Sequence, residues 1–413
     1  MAARTDMTRA LSFLDGRRDE MVAILEAWCA INTGSRNLEG LAAFRGALAA
    51  AFAELGGAIE TVEADAEEAV AADGRLVARP IGASLRIVRR PEAPVRMLLA
   101  GHMDTVFPAD HPFQQGRLLD ADTYNAPGAA DMKGGILAML YALKALEASP
   151  FAARVGYEVI LNADEEIGSP GSARLLGEAA RRAQFACVYE PALEDGTLAG
   201  ARKGSGNYSA TIRGRSAHAG RDPAAGRNAV LAAAEFAQKI AAIGGARDGL
   251  TVNVAKIEGG GPNNVVPDLA VVRFNVRVAL PGDMAFAERE IRAALAGVAA
   301  REGFSAHLHG GFNRPPKPMT PALARFFEAV KSVGAELGLA VGWKATGGVC
   351  DGNNIAAAGV PVIDTLGARG ANIHSADEYV KLDSLVERAR LSALLFLRVA
   401  AGDIPAPGAE ARP

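Results

Sequence analysis

Hydrophobic and polar residues follow two different periods along the chain, and the periods predict its secondary structure. Three short, almost wholly apolar runs predict buried strands at residues 95–100, 155–161 and 185–189. Between them, residues 134–146 and 172–182 have the spacing of helices. Strands that alternate with helices in this way predict a mostly parallel sheet with helices on both faces.

The pattern changes after about residue 201. Apolar and polar side chains now alternate, as they do in strands with one exposed face. Such strands are predicted at 208–213, 250–257, 269–278 and 305–308, with amphipathic helices at 228–243 and 284–301. The resulting β–α–β–β–α–β order predicts a ferredoxin-like α+β domain with an antiparallel sheet.

The first pattern then returns, with a helix, a strand and a long helix predicted at 322–337, 361–365 and 382–400. The N-terminal residues 11–53 also carry helical periodicity. We therefore expect an α/β domain made of residues 1–203 and 315–401, interrupted by an α+β domain at 204–314. Residues 402–413 are rich in Pro, Ala and Gly, which predicts a disordered tail.

Composition narrows the class of protein. The 413 residues carry a net charge of −3 without a basic cluster, so we expect no nucleic-acid partner. No run of about 20 apolar residues predicts a membrane span. The three cysteines, Cys29, Cys187 and Cys350, are widely spaced and include no CxxC pair. This pattern favours a reducing compartment, so a cytoplasmic location is expected.

Histidine and acidic residues follow three of the predicted strands. They are His102 in GHMDTV (101–106), the pair Glu165 and Glu166 in NADEEIGS (162–169), and Glu190 in VYEPA (188–192). In open α/β sheets, ligands bind outside the carboxyl ends of the strands. Asp104 lies where it can accept the second imidazole N–H of His102.

Two further segments add potential ligands, Asp131 in GAADMKGG (128–135) and His374 in ANIHSADEYV (371–380). Each motif alone has an ordinary explanation: Asp131 could cap a helix, the glutamates could form a solvated turn, and His374 could be exposed. Taken together, two histidines and three carboxylates at strand ends suit zinc, cobalt or manganese. A carboxylate such as Asp131 can bridge two cations that share a water, and one glutamate of the adjacent pair can act as base.

These segments, in this order, resemble the zinc aminoacylase and glutamate-carboxypeptidase family of dinuclear metallohydrolases, and above all its carboxypeptidase G type. The resemblance spans nearly the whole chain. It implies two Zn²⁺ ions, with Co²⁺ or Mn²⁺ as substitutes, and a cis peptide bond between Asp131 and Met132. It also implies a role for each residue: Asp131 bridges the ions, His102 and Glu190 complete one site, Glu166 and His374 complete the other, Glu165 is the general base, and Asp104 orients His102.

By the same resemblance, residues 204–314 form a lid that makes a homodimer, with hinges expected near Arg202 and Arg314. In this family a lid histidine, here His218, stabilises the oxyanion in the partner subunit. The resemblance further assigns four residues to substrate binding: Arg277 for the free carboxylate, Lys203 for an acidic side chain, Gly348 for backbone contacts, and Asn264. Val349 and Cys350 replace smaller residues of relatives, which leaves the side-chain preference open.

The leading hypothesis is a hydrolase that cleaves an amide bond next to a free carboxylate and releases a C-terminal amino acid from a small peptide. The alternative is an N-acyl amino acid deacylase of the acetylornithine deacetylase or desuccinylase type, which uses the same chemistry. A third hypothesis is a binding protein on the same fold, but a sensor would have no need of the base Glu165.

Overall fold

The computed structural model of the chain describes residues 2–408, and its central feature is a six-stranded sheet. Four neighbouring strands are parallel: β8 (Val155–Asn162), β5 (Val95–His102), β9 (Phe185–Val188) and β16 (Val362–Ile363). Two antiparallel strands, β4 (Ser84–Arg89) and β1 (Ala58–Val62), extend the sheet beyond β8. The sheet is therefore mostly parallel, but its antiparallel edge was not predicted.

Helices cover both faces of this sheet. The larger core lies on one face, where these helices pack: α1 (Ala2–Ser12), α2 (Arg18–Cys29), α3 (Leu38–Ala53), α4 (Gly134–Glu147), α8 (Pro321–Glu336) and α10 (Asp383–Ala401). On the other face, α5 (Ala173–Arg182) and α9 (Asp351–Ala357) enclose a smaller core. Because helices lie on both sides, β8 is buried at every position, which explains its mostly apolar composition; its one charged residue, Glu158, is paired with Arg86 and Arg182.

A second, antiparallel sheet lies between Gly204 and Arg314. Its strands are β11 (Gly204–Arg213), β12 (Thr251–Gly259), β13 (Leu269–Val278) and β14 (Ser305–Arg314), in the order β12-β13-β11-β14. Two helices, α6 (Ala229–Ala241) and α7 (Pro281–Ala299), cover one face and form a separate core with it. The predicted fold class, an α/β domain interrupted by a ferredoxin-like α+β domain, is confirmed.

Short strands complete the fold. A hairpin consists of β2 (Glu67–Val70) and β3 (Leu76–Arg79), and β10 (Leu198–Arg202) pairs in parallel with β15 (Trp343–Thr346). A small sheet joins β6 (Arg117–Leu118), β7 (Thr123–Asn125), β17 (Gly370–Ala371) and β18 (Tyr379–Lys381). None of the helices within residues 2–408 is long and apolar enough to cross a bilayer.

Three expectations differ from the structure. The helical segment 11–53 is divided among α1, α2 and α3. In the tail that was predicted to be disordered, Ile404 and Ala406 pack against the larger core, while residues 409–413 lie outside the described part of the chain. Arg202 and Arg314, expected beside hinges, are only 8% and 3% exposed. Both are anchored by ion pairs, to Asp364 and Glu165 respectively.

Candidate metal centre

Three neighbouring parallel strands deliver three of the predicted ligands to one edge of the sheet. His102 is the last residue of β5, Glu166 lies in the helical turn that follows β8, and Glu190 lies two residues beyond β9. Asp131 stands just before α4, which approaches the end of β9 closely. A Cβ atom at Gly135 would lie 2.0 Å from the carbonyl oxygen of Tyr189, so only glycine allows this approach.

The five predicted ligands lie together in two groups that share Asp131. One group is His102, Asp131 and Glu190, and the other is Asp131, Glu166 and His374. The Oδ1 atom of Asp131 lies 3.1 Å from Nε2 of His102, and its Oδ2 atom lies 3.3 Å from Nε2 of His374. The two oxygens of one carboxylate thus face different imidazoles, as a bridge between two cations requires.

The remaining carboxylates complete each group. Oε2 of Glu190 lies 3.7 Å from Nε2 of His102, and Oε2 of Glu166 lies 3.2 Å from Nε2 of His374. The peptide bond between Asp131 and Met132 is cis, so that expectation is confirmed. His374 itself adopts a left-handed backbone conformation with φ of 65°.

The electrostatics of this cluster fit bound cations. Burial, reinforced by the charge of Asp131, raises the pKa of Glu166 to about 8. Burial also raises the pKa of Glu190 well above its ordinary value, and its Oε1 atom has no hydrogen-bond partner among the described residues. For His102, burial favours the neutral ring, but Glu190 and the two aspartates hold its pKa well above the usual range. Carboxylates this close and this buried need compensating positive charge, which a pair of dications supplies.

Asp104 holds neighbouring parts of the site in place through hydrogen bonds. Its carboxylate accepts hydrogen bonds from the backbone N–H groups of Glu165 at 3.1 Å and Glu166 at 3.2 Å, and from the hydroxyl of Ser35 at 2.7 Å. Nδ1 of His102 lies 2.9 Å from the backbone oxygen of Asp104 but 3.5 Å from its carboxylate. The backbone carbonyl of Asp104 is therefore the acceptor that orients the imidazole of His102. The carboxylate of Asp104 instead holds the turn that contains Glu165 and Glu166.

Two important residues were missed by the sequence analysis. Arg314, the last residue of β14, donates from Nη1 to Oε1 of Glu165 at 2.5 Å and from Nη2 to the Glu165 carbonyl at 2.7 Å. Glu378 is buried beside Asp131, and burial together with the charge of Asp131 raises its pKa to about 7. Glu378 follows His374 by four residues in the same motif, which was the only available signal.

A cavity of about 310 Å³ opens beside the ligands. Besides the candidate ligands, its lining includes four apolar and two cationic side chains: Leu193, Leu198, Val349, Ile373, Arg202 and Lys344. A second cleft, of about 550 Å³, lies between the glutamate turn and the inserted domain. Arg277 lines this cleft and donates from Nη1 to the carbonyl oxygen of Gly347 at 2.7 Å, and Gly348 lines both spaces.

Three predicted site residues are not brought to the metal centre of the same chain. The ammonium group of Lys203 donates to the carbonyl of Gly249 at 3.0 Å and does not line the cavity. His218 and Asn264 are exposed on neighbouring loops of the inserted domain, where the backbone of Ala219 bonds to the carbonyl of Asn264. Neither His218 nor Asn264 lines the cavity or the cleft beside the metal centre.

Comparisons with known proteins agree with this arrangement. Residues 98–398 match the family model of Peptidase family M20/M25/M40. Carboxypeptidase G2 of Pseudomonas sp. (strain RS-16) is 29% identical over 402 residues, which cover 93% of this chain and 91% of that protein. A succinyl-diaminopimelate desuccinylase of Verminephrobacter eiseniae is 28% identical over 335 residues, covering 75% of this chain and 81% of that protein.

The fold is also shared with solved structures. An M20 family metallo-carboxypeptidase from Sulfolobus solfataricus superposes with a TM-score of 0.71 at 17% identity, covering 92% of this chain and 99% of that chain. The aminopeptidase PepT from Bacillus cereus gives a TM-score of 0.70 at 22% identity, covering 93% and 99%. Because the family match spans both halves of the candidate centre, the chain belongs to Peptidase family M20/M25/M40 and is a metallohydrolase that acts on amide bonds.

Proposed function

We propose that the protein is a two-zinc carboxypeptidase that hydrolyses the amide bond next to a free C-terminal carboxylate. The observation that carries the proposal is the position of Asp131, whose two oxygens face His102 and His374 at 3.1 and 3.3 Å. Histidine nitrogen and carboxylate oxygen together are the ligand types that zinc accepts. When bound, two such cations supply positive charge that lowers the pKa of a shared water to near 7.

The proton transfers of the reaction are assigned to a residue of the protein, Glu165. Glu165 lies beside the ligand Glu166 but belongs to neither ligand group, so it is free to act as general base. We assign to it the transfer of a proton from the attacking water to the departing amide nitrogen. Arg314 and Asp104 fix the turn that carries Glu165, which keeps its carboxylate at a constant place during both transfers.

Arg277 is assigned to the substrate's free carboxylate. Burial and the neighbouring positive charge of Arg314 both lower the pKa of Arg277, so an anion between them would be stabilised. A guanidinium group can bind a carboxylate through two parallel hydrogen bonds. The carbonyl of Gly347 accepts a hydrogen bond from Arg277, and Gly348 lines the cleft beside it.

The cations of the cavity support an acidic side chain on the released amino acid. Lys344 stands opposite Ala199 in the pairing of β10 with β15 and lines the cavity, as does Arg202. Arg202 uses Nε to bind Asp364 at 2.8 Å and Nη1 to bind the carbonyl of Gly348 at 3.2 Å. We therefore transfer the role expected of Lys203 to Lys344 and Arg202.

The alternative, an N-acyl amino acid deacylase, is favoured by the polar lining of the second cleft, where Asn207, Asn275 and Asn313 could bind a short acyl group. A family relative named as a desuccinylase is consistent with this alternative.

A homodimer through the inserted domain is also proposed, because edge strand β12 is largely exposed and His218 lines neither the cavity nor the cleft of its own chain.

One experiment separates the two functions. The zinc-reconstituted protein is assayed for kcat/KM on dipeptides and folyl-type substrates with C-terminal glutamate, on matched substrates with C-terminal leucine, and on N-acetyl and N-succinyl amino acids. The proposal expects C-terminal glutamate to be preferred. A preference for N-succinyl or N-acetyl substrates would replace it with the deacylase, and turnover of none of them would remove both.

A further inference from the structure

Glu378 is a buried acid beside the metal centre that belongs to neither ligand group. Its side chain is enclosed, with the residue only 1% exposed. One carboxylate oxygen, Oε1, accepts hydrogen bonds from two successive backbone N–H groups, those of Ala130 at 3.0 Å and Asp131 at 3.1 Å. Glu378 therefore holds the backbone of the bridging aspartate from a segment almost 250 residues away in the sequence.

The backbone of Glu378 is fixed as well. The side-chain amide of Asn125 donates to the carbonyl of Glu378 at 2.6 Å and to the carbonyl of Ala376 at 3.0 Å. Asn125 is 2% exposed, and it pairs with Tyr379 where β7 meets β18. The C-terminal end of the segment 374–378 is thus hydrogen-bonded both to Asn125 in β7 and to the turn that contains Asp131.

His374 depends on this support more than the other ligands do. Its side chain is 52% exposed, whereas the side chains of His102 and Asp131 are 1% and 7% exposed. Both His374 and Asn372 have left-handed backbone conformations, with φ of 65° and 57°, a region that is uncommon for non-glycine residues. Packing restrains an exposed imidazole little, so the hydrogen bonds of Glu378 and Asn125 at the end of the segment are nearby points at which it is fixed.

We propose that Glu378 is a positioning residue that fixes the separation of Asp131 and His374 and thereby sets the affinity of the cation site on the His374 side. The inference rests on the proposed two-cation centre. Loss of an outer hydrogen-bond partner of a metal ligand typically weakens metal binding about 10–100-fold. Although Asp131 is shared by both groups, it is buried and also held by its place just before α4, whereas the exposed His374 depends on the link that Glu378 provides, so the loss falls mainly on the His374 side.

The test is a titration of metal-free protein with Zn²⁺, in which the bound equivalents and the affinity of each step are measured. E378A is compared with E378Q, which keeps an acceptor oxygen, and with H374A, which identifies the step that belongs to the His374 side. N125A removes the hydrogen bonds from Asn125 to the backbone carbonyls of Ala376 and Glu378 and leaves every carboxylate unchanged. If E378A does not fold, N125A provides the test instead. D283N, a buried acid of the inserted domain, is the control.

We expect E378A to weaken the step identified by H374A about 10–100-fold while the other step changes less than about threefold. E378Q should stay close to the wild type, N125A should shift the same step as E378A, and D283N should bind as the wild type does. Unchanged binding in E378A and N125A, equal weakening of both steps, or failure of E378Q to restore binding would each overturn the proposal. Fewer than two equivalents bound by the wild type would instead refute the two-cation centre itself.

Discussion

Replacing Asp364 by Asn should destabilise the protein strongly, because it leaves two buried cations without their counterion. Oδ2 of Asp364 lies 2.8 Å from Nε of Arg202 and 2.6 Å from Nζ of Lys317. All three side chains are buried, with at most 8% exposed. Breaking a buried ion pair by removing one partner costs about 3–5 kcal/mol, since the remaining charge stays desolvated. Asparagine can offer one oxygen as acceptor, but it cannot neutralise either cation.

Substitution of Lys317 separates the contributions of the two ion pairs to the lost free energy of unfolding. K317M removes one charged hydrogen bond but leaves Asp364 paired with Arg202, so it should cost about 1.5–3 kcal/mol. The double variant D364N/K317M should cost less than the sum of the single losses by at least about 1 kcal/mol, because one of the stranded cations is gone. D283N serves as control: Asp283 is buried, but its partner Arg247 is 44% exposed and remains solvated, so a loss of about 1 kcal/mol or less is expected.

The effect should depend on pH with a definite sign. Burial pushes the pKa of Asp364 upward, but Arg202 and Lys317 outweigh it and hold the pKa below its ordinary value. Its stabilising contribution is therefore complete above about pH 4, the pKa in the unfolded chain, and is lost as the pH falls through the lower folded-state pKa. Urea unfolding at pH 7 and below pH 4 measures this difference. A loss below 1 kcal/mol at pH 7, or exact additivity with K317M, would refute the reasoning.

Four further outcomes follow from the site. E165Q should bind two zinc ions normally but lose about 10²–10⁴-fold in kcat, measured by turnover and metal content; full turnover would exclude Glu165 as the base. R277M should raise KM about 10–100-fold for substrates with a free carboxylate, the value of one charge-assisted pair, and should leave carboxamide substrates unaffected. K344M should lower kcat/KM for C-terminal glutamate relative to leucine, and an unchanged ratio would contradict the assignment. Removal of metal by a chelator should abolish activity and Zn²⁺ should restore it; a chelated protein that keeps its activity would refute metal dependence.

Most of the fold could be predicted because periodicity is a local property. Buried parallel strands such as β8 are mostly apolar, and the strands of the inserted domain alternate, so each segment indicates its own environment. The antiparallel strand β4 was missed because Arg86 and Arg89 interrupt its apolar residues, and β1 was missed because it is the edge strand of the sheet and has no buried residue. The hairpin β2–β3 was missed for the same reason.

That the candidate ligands lie together could be predicted for a related reason, whereas their supporting partners could not. His102 and Glu190 stand at or just beyond the ends of apolar strands, where a charged group is conspicuous. Arg314 and Glu378 contact Glu165 and Asp131 across 149 and 247 residues. Apart from the position of Glu378 in the same motif as His374, their immediate sequence resembles that of ordinary solvated charges, so only the folded chain shows which acid or backbone they meet.

The two connections to the inserted domain show the same long-range dependence, and they determine how that domain can move. Arg202 and Lys317 exchange backbone hydrogen bonds of 2.9 and 3.0 Å, so the two crossings run side by side as one antiparallel stem. Arg202 is then fixed by Asp364, and Arg314 by Glu165, from within the α/β domain. If the backbone hinge of the inserted domain lay at Arg202 or Arg314, the rotation would break the buried ion pair of that arginine. Breaking such a pair costs about 3–5 kcal/mol. Because Arg314 also holds Glu165, to which we assign the role of base, we expect any closing motion to leave the C-terminal end of β14 in place and to preserve the geometry around Glu165.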